Sequence, residues 1–206
     1  MTIRLDELGA VNRMLLGIGK TPVNTLTNSG LGDVAAARLT LDQVSFEIQA
    51  PGHRFNTRFR TLTPRVEDSR VVLPNDVIHV ESLDARVSYY VELDTITPTI
   101  RYLANEENNS LVWASPQEVR VVLSLPFDAL PGHASDYIAA EAALRFQNQR
   151  VGSPSLEAPL ERARARAYAN FRKAELRQSG ANLIDDRARL TGRSVVYNRH
   201  RSQRYS

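Results

Sequence analysis

The chain has 206 residues, 42% of them hydrophobic and 24% charged, with a formal net charge of +3. That is the make-up of one compact domain with an elaboration, or of two small ones, and it excludes a disordered or fibrous chain. Cysteine is absent, which excludes disulfides, thiolate catalysis and thiolate metal sites.

In the opening segment LDELGAVNRMLLGIG, Leu8, Val11, Leu15 and Ile18 recur at spacings of three and four, the mark of one helical face. Asp6 and Glu7 suit the positive end of that helix's dipole. Gly17, Gly19 and Pro22 end it, and a short extended stretch from Val23 to Leu26 follows. After the loop TNSGLGD, Asp33 is the expected N-cap of a second helix whose Val34, Ala37, Leu41, Val44 and Ile48 keep the three-four rhythm up to Pro51 and Gly52.

From His53 the period drops to two. Phe55, Thr57, Phe59 and Thr61 alternate with Arg54, Asn56, Arg58 and Arg60, which predicts a strand with one wet face. Short β-rich runs follow at 71–73, 77–80, 87–91, 99–103, 111–113 and 119–125. The polar run NEENNS between Tyr102 and Trp113 reads as a hairpin tip, because its residues accept unusual backbone angles and pack against little. A small antiparallel β-subdomain is expected here.

Helical character returns in DYIAAEAALRFQNQR, with an apolar stripe at Tyr137, Ile138, Ala142 and Leu144 and an end near Val151 and Gly152. A last helix is expected from about Ala158 to Gln178, with Pro159 in its first turn and Ser179 and Gly180 as its stop. The chain beyond Ala181 turns basic: from Arg187 to Ser206 it carries Arg187, Arg189, Arg193, Arg199, His200, Arg201 and Arg204 and no acidic residue. This stretch has few large apolar side chains and no clear period, so it is expected to be unfolded or extended in the free subunit. The fold class is therefore α+β: a bundle of about four helices (1–52 and 126–182), an inserted antiparallel β part (53–125) and a basic tail (183–206). No apolar run reaches the roughly 18 residues that span a bilayer, and MTIRLDELGA lacks the order of a signal peptide, so synthesis in the cytoplasm is expected.

Little in the sequence points to chemistry. Gly19, Lys20 and Thr21 imitate the end of a phosphate-binding loop, but that motif needs a glycine where Met14 stands, and it joins a strand to a helix. His53, His79, His133 and His200 offer no pair at the spacing that sets two metal ligands on one helical face. The carboxylate pairs Glu106-Glu107 and Asp185-Asp186 fall on an exposed turn and beside a basic tail, where nothing perturbs them as acid-base catalysis requires. Phe55, Phe59, Tyr89, Tyr90, Tyr102 and Trp113 could stack on bases, but basic residues interleave with them only in the first strand, which favours a sheet core.

Four stretches in order carry a resemblance: AVNRMLLGIGKTPVNTL at 10–26, DVAAARLTLDQVSFEIQAPGHRFNTR at 33–58, LPFDALPGHASDYIAAEAALRFQNQRVGSP at 125–154, and the acid- and Arg-bearing last helix. Together they resemble the tail tubular protein A family of short-tailed phages, also called adaptors or head-tail connectors. The resemblance implies a helical bundle with a β insertion and a dodecameric ring, with the portal protein on one side and the tail nozzle (tubular protein B) on the other. It implies a place in the virion tail at the portal vertex. It also implies a conduit for genome ejection, through which DNA passes without specific binding, and it implies no enzymatic activity and no cofactor. The 60–120 segment and the basic tail match the family little, so expectations there rest on physics.

Ordering a polar tail costs about 1–2 kcal/mol per residue in backbone entropy, so a tail that orders needs a partner surface. Arg193, Tyr197, Arg199, Arg201 and Tyr205 are the expected portal anchors, since Tyr and Arg dominate such contacts. The competing reading is a nucleic-acid-binding module that uses the same arginines on phosphates. If the helical side meets the portal, Glu106, Glu107, Asn108 and Asn109 at the hairpin tip face the nozzle. The charged surface of the last helix is open to two readings, a solvated face or an interface.

Overall fold

The structure, a computed structural model, describes residues 5–27 and 32–199, with the side chains of the last helix described as far as residue 177. The elements run α1 (Glu7–Gly17), α2 (Gly32–Gln49), β1 (Thr57–Leu62), β2 (Val72–Leu73), β3 (Val77–Ser82), β4 (Tyr89–Leu93), β5 (Arg101–Asn105), β6 (Gln117–Leu123), a short 3-10 turn (Phe127–Ala129), α3 (Gly132–Arg150) and α4 (Pro154–Arg199). The fold is α+β, as the sequence leads one to expect.

Asp6 caps α1, its carboxylate accepting the Gly9 N–H at 2.8 Å. At the other end Gly19 takes φ 72°, which lets its N–H reach Leu16 O at 3.0 Å and the Lys20 N–H reach Leu15 O at 2.9 Å, satisfying carbonyls that the helix would leave orphaned. Asn12 then holds the chain that leaves: its side-chain amide donates to Val23 O at 2.9 Å and its oxygen accepts the Val23 N–H at 2.8 Å. The helix is buried on a wider arc than the expected stripe. Ala10, Val11, Met14 and Leu15 are buried, whereas Leu8 and Ile18 are only half-buried, because α1 touches both α2 and α3.

In α2, Val34, Ala37, Leu41 and Val44 are buried as their spacing predicts, joined by Thr40, Ser45 and Gln49, with Ile48 partly buried. Asp33 is not the N-cap; it lies in the first turn, paired with Lys20 at 3.8 Å and Arg150 at 3.6 Å. The hub of the bundle is α3, which packs on α1, α2 and α4. Its Ala134, Ala139, Ala142 and Ala143 are fully buried beside Ile138 and Phe146, and these small side chains let three neighbours approach closely.

Two expectations for α4 are corrected. The helix starts at Pro154, whose lacking N–H costs nothing at the first helical position, so Pro159 lies inside the helix and removes one ladder bond. The backbone is also helical through Ser179 and Gly180 to Arg199. A Ser-Gly pair costs only about 1 kcal/mol in a helix, and AELRQ before it and ANLIDDRARL after it are mostly good helix formers. The expected extended stretch is thus helical backbone from 183 to 199, and residues 200–206 lie outside the described residues.

The β part is two three-stranded antiparallel sheets, ordered β1-β6-β3 and β2-β5-β4. Val71, Leu73, Val77, Val80, Leu103, Trp113, Val119, Val121 and Leu123 form a core of their own, separate from the helical cluster around Met14, Leu41, Ile138 and Phe146. The 111–113 run makes an isolated bridge between Val112 and Arg70 rather than a strand; its Trp113 indole N–H donates to Leu103 O at 2.9 Å. The predicted wet and dry faces of β1 are also corrected. Phe59 is 72% exposed, and Arg58 and Arg60 sit opposite the buried Val121 and Val119, because β1 is an edge strand whose Phe59 face no described residue covers. Phe55 precedes the strand and packs on the helical core instead.

The two cores are joined by polar groups. Asn56, fully buried, donates to Gln49 O and Leu123 O, both at 2.9 Å. Gly52 makes the turn between them at φ 80°, and a Cβ there would lie 2.8 Å from Val122 Cγ2, so both backbone angle and space require glycine.

Candidate assembly interface

The two sheets end in four edge strands, β1 and β3 in one and β2 and β4 in the other. Among the described residues β1 pairs only with β6 and β4 only with β5. The Leu123 N–H donates to Asn56 O at 2.8 Å; by antiparallel alternation Arg58, Arg60 and Leu62 then turn their backbone groups to β6, while Phe59 and Thr61 turn theirs outward. At β4 the Glu106 N–H donates to Ser88 O at 3.0 Å and the Asp94 N–H to Ile100 O at 2.9 Å, so Tyr89, Val91 and Leu93 face outward by the same rule. Val91 and Leu93 are exposed large apolar residues, as is Phe59.

On the helical side, Glu175 of α4 stands between two histidines that the sequence keeps far apart. Its Oε2 is 3.1 Å from His53 Nδ1 and its Oε1 is 3.7 Å from His133 Nε2. His53 Nε2 lies 2.8 Å from Ile48 O, which can only accept, so Nε2 is the donor of that bond. Phe171 seals the cluster, its ring edge-on to His53 at 5.0 Å and stacked on Tyr137 at 5.3 Å. The arrangement fastens α4 to the bundle. Among the described residues no group of three or more His, Cys, Asp or Glu is placed to hold a metal ion.

A groove of about 190 Å³ opens beside this cluster, with Arg13, Asp136, Arg166 and Asn170 on its walls. The groups whose titration the fold displaces do not line it. Burial, then the neighbouring Glu7, push up the Asp42 carboxyl; burial, then Glu141, push up the Tyr137 hydroxyl. Burial alone would lower Arg145, but its hydrogen bonds to Glu47 at 2.6 Å and Glu141 at 2.9 Å outweigh it and hold the guanidinium above its ordinary value. The first two mark burial, and the third marks an ion pair packed along the helices.

Of the residues singled out in the sequence, Glu106, Glu107, Asn108 and Asn109 are exposed. Asn109 has φ 54°, Asn108 Oδ1 accepts the Ser110 N–H at 3.0 Å, and Asn105 closes the loop by donating its N–H to Ser110 O at 2.9 Å. Arg193, Tyr197 and Arg199 belong to the helical backbone of α4, their side chains outside the described part, and Arg201 and Tyr205 lie outside the described residues altogether. Lys20 of the phosphate-loop imitation pairs with Asp33. Of the aromatic set, Tyr102 and Trp113 are buried, Tyr102 under Arg65 and Arg70 at 5.6 and 5.3 Å. The open edges and the Glu175 cluster were not foreseen. The first could have been sought in the pairing of exposed Phe59 with flanking arginines; the second leaves no local signal, since its members come from three distant segments.

No helix among the described residues is long and apolar enough to cross a membrane. Among curated proteins none matches the chain. The model of one family, the tail tubular proteins, matches residues 8–181, a span that takes in the bundle, both sheets and the described part of α4 as far as its side chains are known. The chain therefore belongs to the tail tubular protein family, and its role is that of a structural component of a phage tail.

Proposed function

We propose that this chain is the adaptor of a short-tailed phage: a ring subunit, twelve to the ring, seated between the portal and the tail nozzle, with the genome passing through its centre unbound. The observation that carries the reading is the family match over 8–181. The form of the molecule supports it, since two joined cores offer several distinct faces and a head-to-tail ring needs two unlike faces on each subunit. In this reading the helical bundle of 1–52 and 126–182 and the β insertion of 53–125 act as separate units, the first toward the portal and the second toward the nozzle. The tail from 183 to 206 carries Arg193, Tyr197, Arg199, Arg201 and Tyr205 to the portal. Many modest tails in one ring then bind together, which multiplies their effect. Glu106, Glu107, Asn108 and Asn109 meet the nozzle. No step in this role makes or breaks a bond, so the chain is no enzyme.

The test is a phage in which this chain is not made. The proposal expects packaged heads that carry a portal, lack a nozzle and lose DNA, and that regain infectivity when purified chain is added. Particles with complete tails would overturn it.

A further inference from the structure

Two edges of the β part, β1 and β4, match each other. β1 presents Arg58, Phe59 and Arg60, and β4 presents Tyr90, Val91 and Glu92, with strand lengths of 6 and 5 residues. Among the described residues no ion pair engages Arg60 or Glu92, while Arg58 reaches only backbone carbonyls, those of Arg54 and Thr57. We propose that β1 of one copy pairs antiparallel with β4 of the next, Phe59 directly opposite Val91, so that adjoining subunits share a continuous sheet.

The register follows from parity. Outward-facing backbone groups must meet outward-facing ones, which restricts the partners of Phe59 and Thr61 to Tyr89, Val91 and Leu93. With Phe59 against Val91, Thr57 meets Leu93 and Thr61 meets Tyr89 on one face. On the other face Arg58 meets Glu92 and Arg60 meets the ring of Tyr90. Directly opposed residues share a face in an antiparallel pair, so the exposed Phe59, Val91 and Leu93 come together and each arginine finds an acid or an aromatic ring. The alternative of β1 against a second β1 places arginine opposite arginine or beside it and is repelled. Neither strand carries a proline or lysine, two of the devices that blunt an edge that must stay unpaired. The charges of Arg58 and Arg60 disfavour pairing with a strand that lacks an acid. Because the two edges are unlike, the contact is head-to-tail and continues from copy to copy.

The proposal rests on the ring reading above, and its test separates the two. The native chain has no cysteine, so introduced cysteines report only the designed contact. Phe59→Cys and Val91→Cys are made in separate full-length chains, mixed, assembled and oxidised with copper-phenanthroline. Opposed residues in a bonded antiparallel pair lie about 5.5 Å apart at Cα, within disulfide reach. The expected result is a mixed dimer that neither variant gives alone, and a ladder of higher species from the chain that carries both substitutions. A dimer from Phe59→Cys alone would mean symmetric edge pairing and would overturn the proposal. Rings of normal mass without the mixed cross-link would overturn it and leave the ring standing; a chain that stays monomeric beside portal rings would sink both. Arg58→Glu and Glu92→Arg are each expected to weaken association about tenfold, and their combination to restore it.

Discussion

Gln49 and Leu125 exchange two hydrogen bonds across the junction of the two cores: the Gln49 amide donates to the Leu125 carbonyl at 3.1 Å, and the Leu125 N–H donates to Gln49 Oε1 at 2.8 Å. A side-chain amide thus completes the backbone where the chain leaves β6 for the second half of the bundle. Gln49 is also fully buried and donates to Ser45 Oγ at 3.0 Å.

Gln49→Leu keeps the volume and orphans both Leu125 groups. The expected loss is about 3 kcal/mol, from about 1–3 kcal/mol for each buried group left unpaired, read as a fall in the urea midpoint at unchanged slope. A change within experimental error would mean that water replaces the side chain and that the junction is loose.

Phe171 is the only large apolar side chain that the described part of α4 buries fully into the bundle, at 3% exposure. Phe171→Ala is expected to cost about 3–5 kcal/mol and to open the cluster around Glu175. The imidazole resonances of His53 and His133 should then move together in an NMR spectrum, while those of His79, in the β part, stay in place.

Asp84 is exposed, yet its carboxyl is held down at about 2 by the Arg86 guanidinium and backbone N–H. Both guanidinium contacts and the N–H lie at 2.9–3.0 Å. A depressed carboxyl stabilises the turn above the ordinary carboxylate range and loses that effect as pH falls through about 2. Titration by NMR should give a midpoint near 2, and Arg86→Ala should raise it toward the ordinary value. An unchanged midpoint in the variant would assign the shift elsewhere.

Removal of residues 183–206 is expected to leave a folded subunit, its circular dichroism short only of the helix that 183–199 contributes, that no longer sediments with portal rings. Undiminished sedimentation would remove the tail from the portal contact.

Much of this fold is written locally. The rhythm of Val34, Ala37, Leu41 and Val44 and the turn residues around Gly19, Gly52 and NEENNS mark elements by their own chemistry, and the structure has them. What fails is whatever depends on a neighbour. The face of β1 was misread because alternation tells which residues share a side but not which side is covered, and here Phe59 lies on the uncovered one. Pro159 and Gly180 looked like boundaries because each disfavours a helix by itself, although the surrounding helix formers outweigh one lost bond or one flexible residue. The candidate interface was the least legible part. An edge strand is a property of sheet order, and β1-β6-β3 with β2-β5-β4 cannot be read from six short β-rich runs.

The central claim is that the surfaces of this chain are completed by copies of itself and by a second ring. Mixing the purified chain with rings of its portal and imaging the product by electron microscopy tests it most directly. The account predicts a second ring of twelve subunits stacked coaxially under the portal, its central opening continuous with the portal channel. Portal rings that remain bare at saturating chain, or chain attached singly at scattered positions, would contradict it.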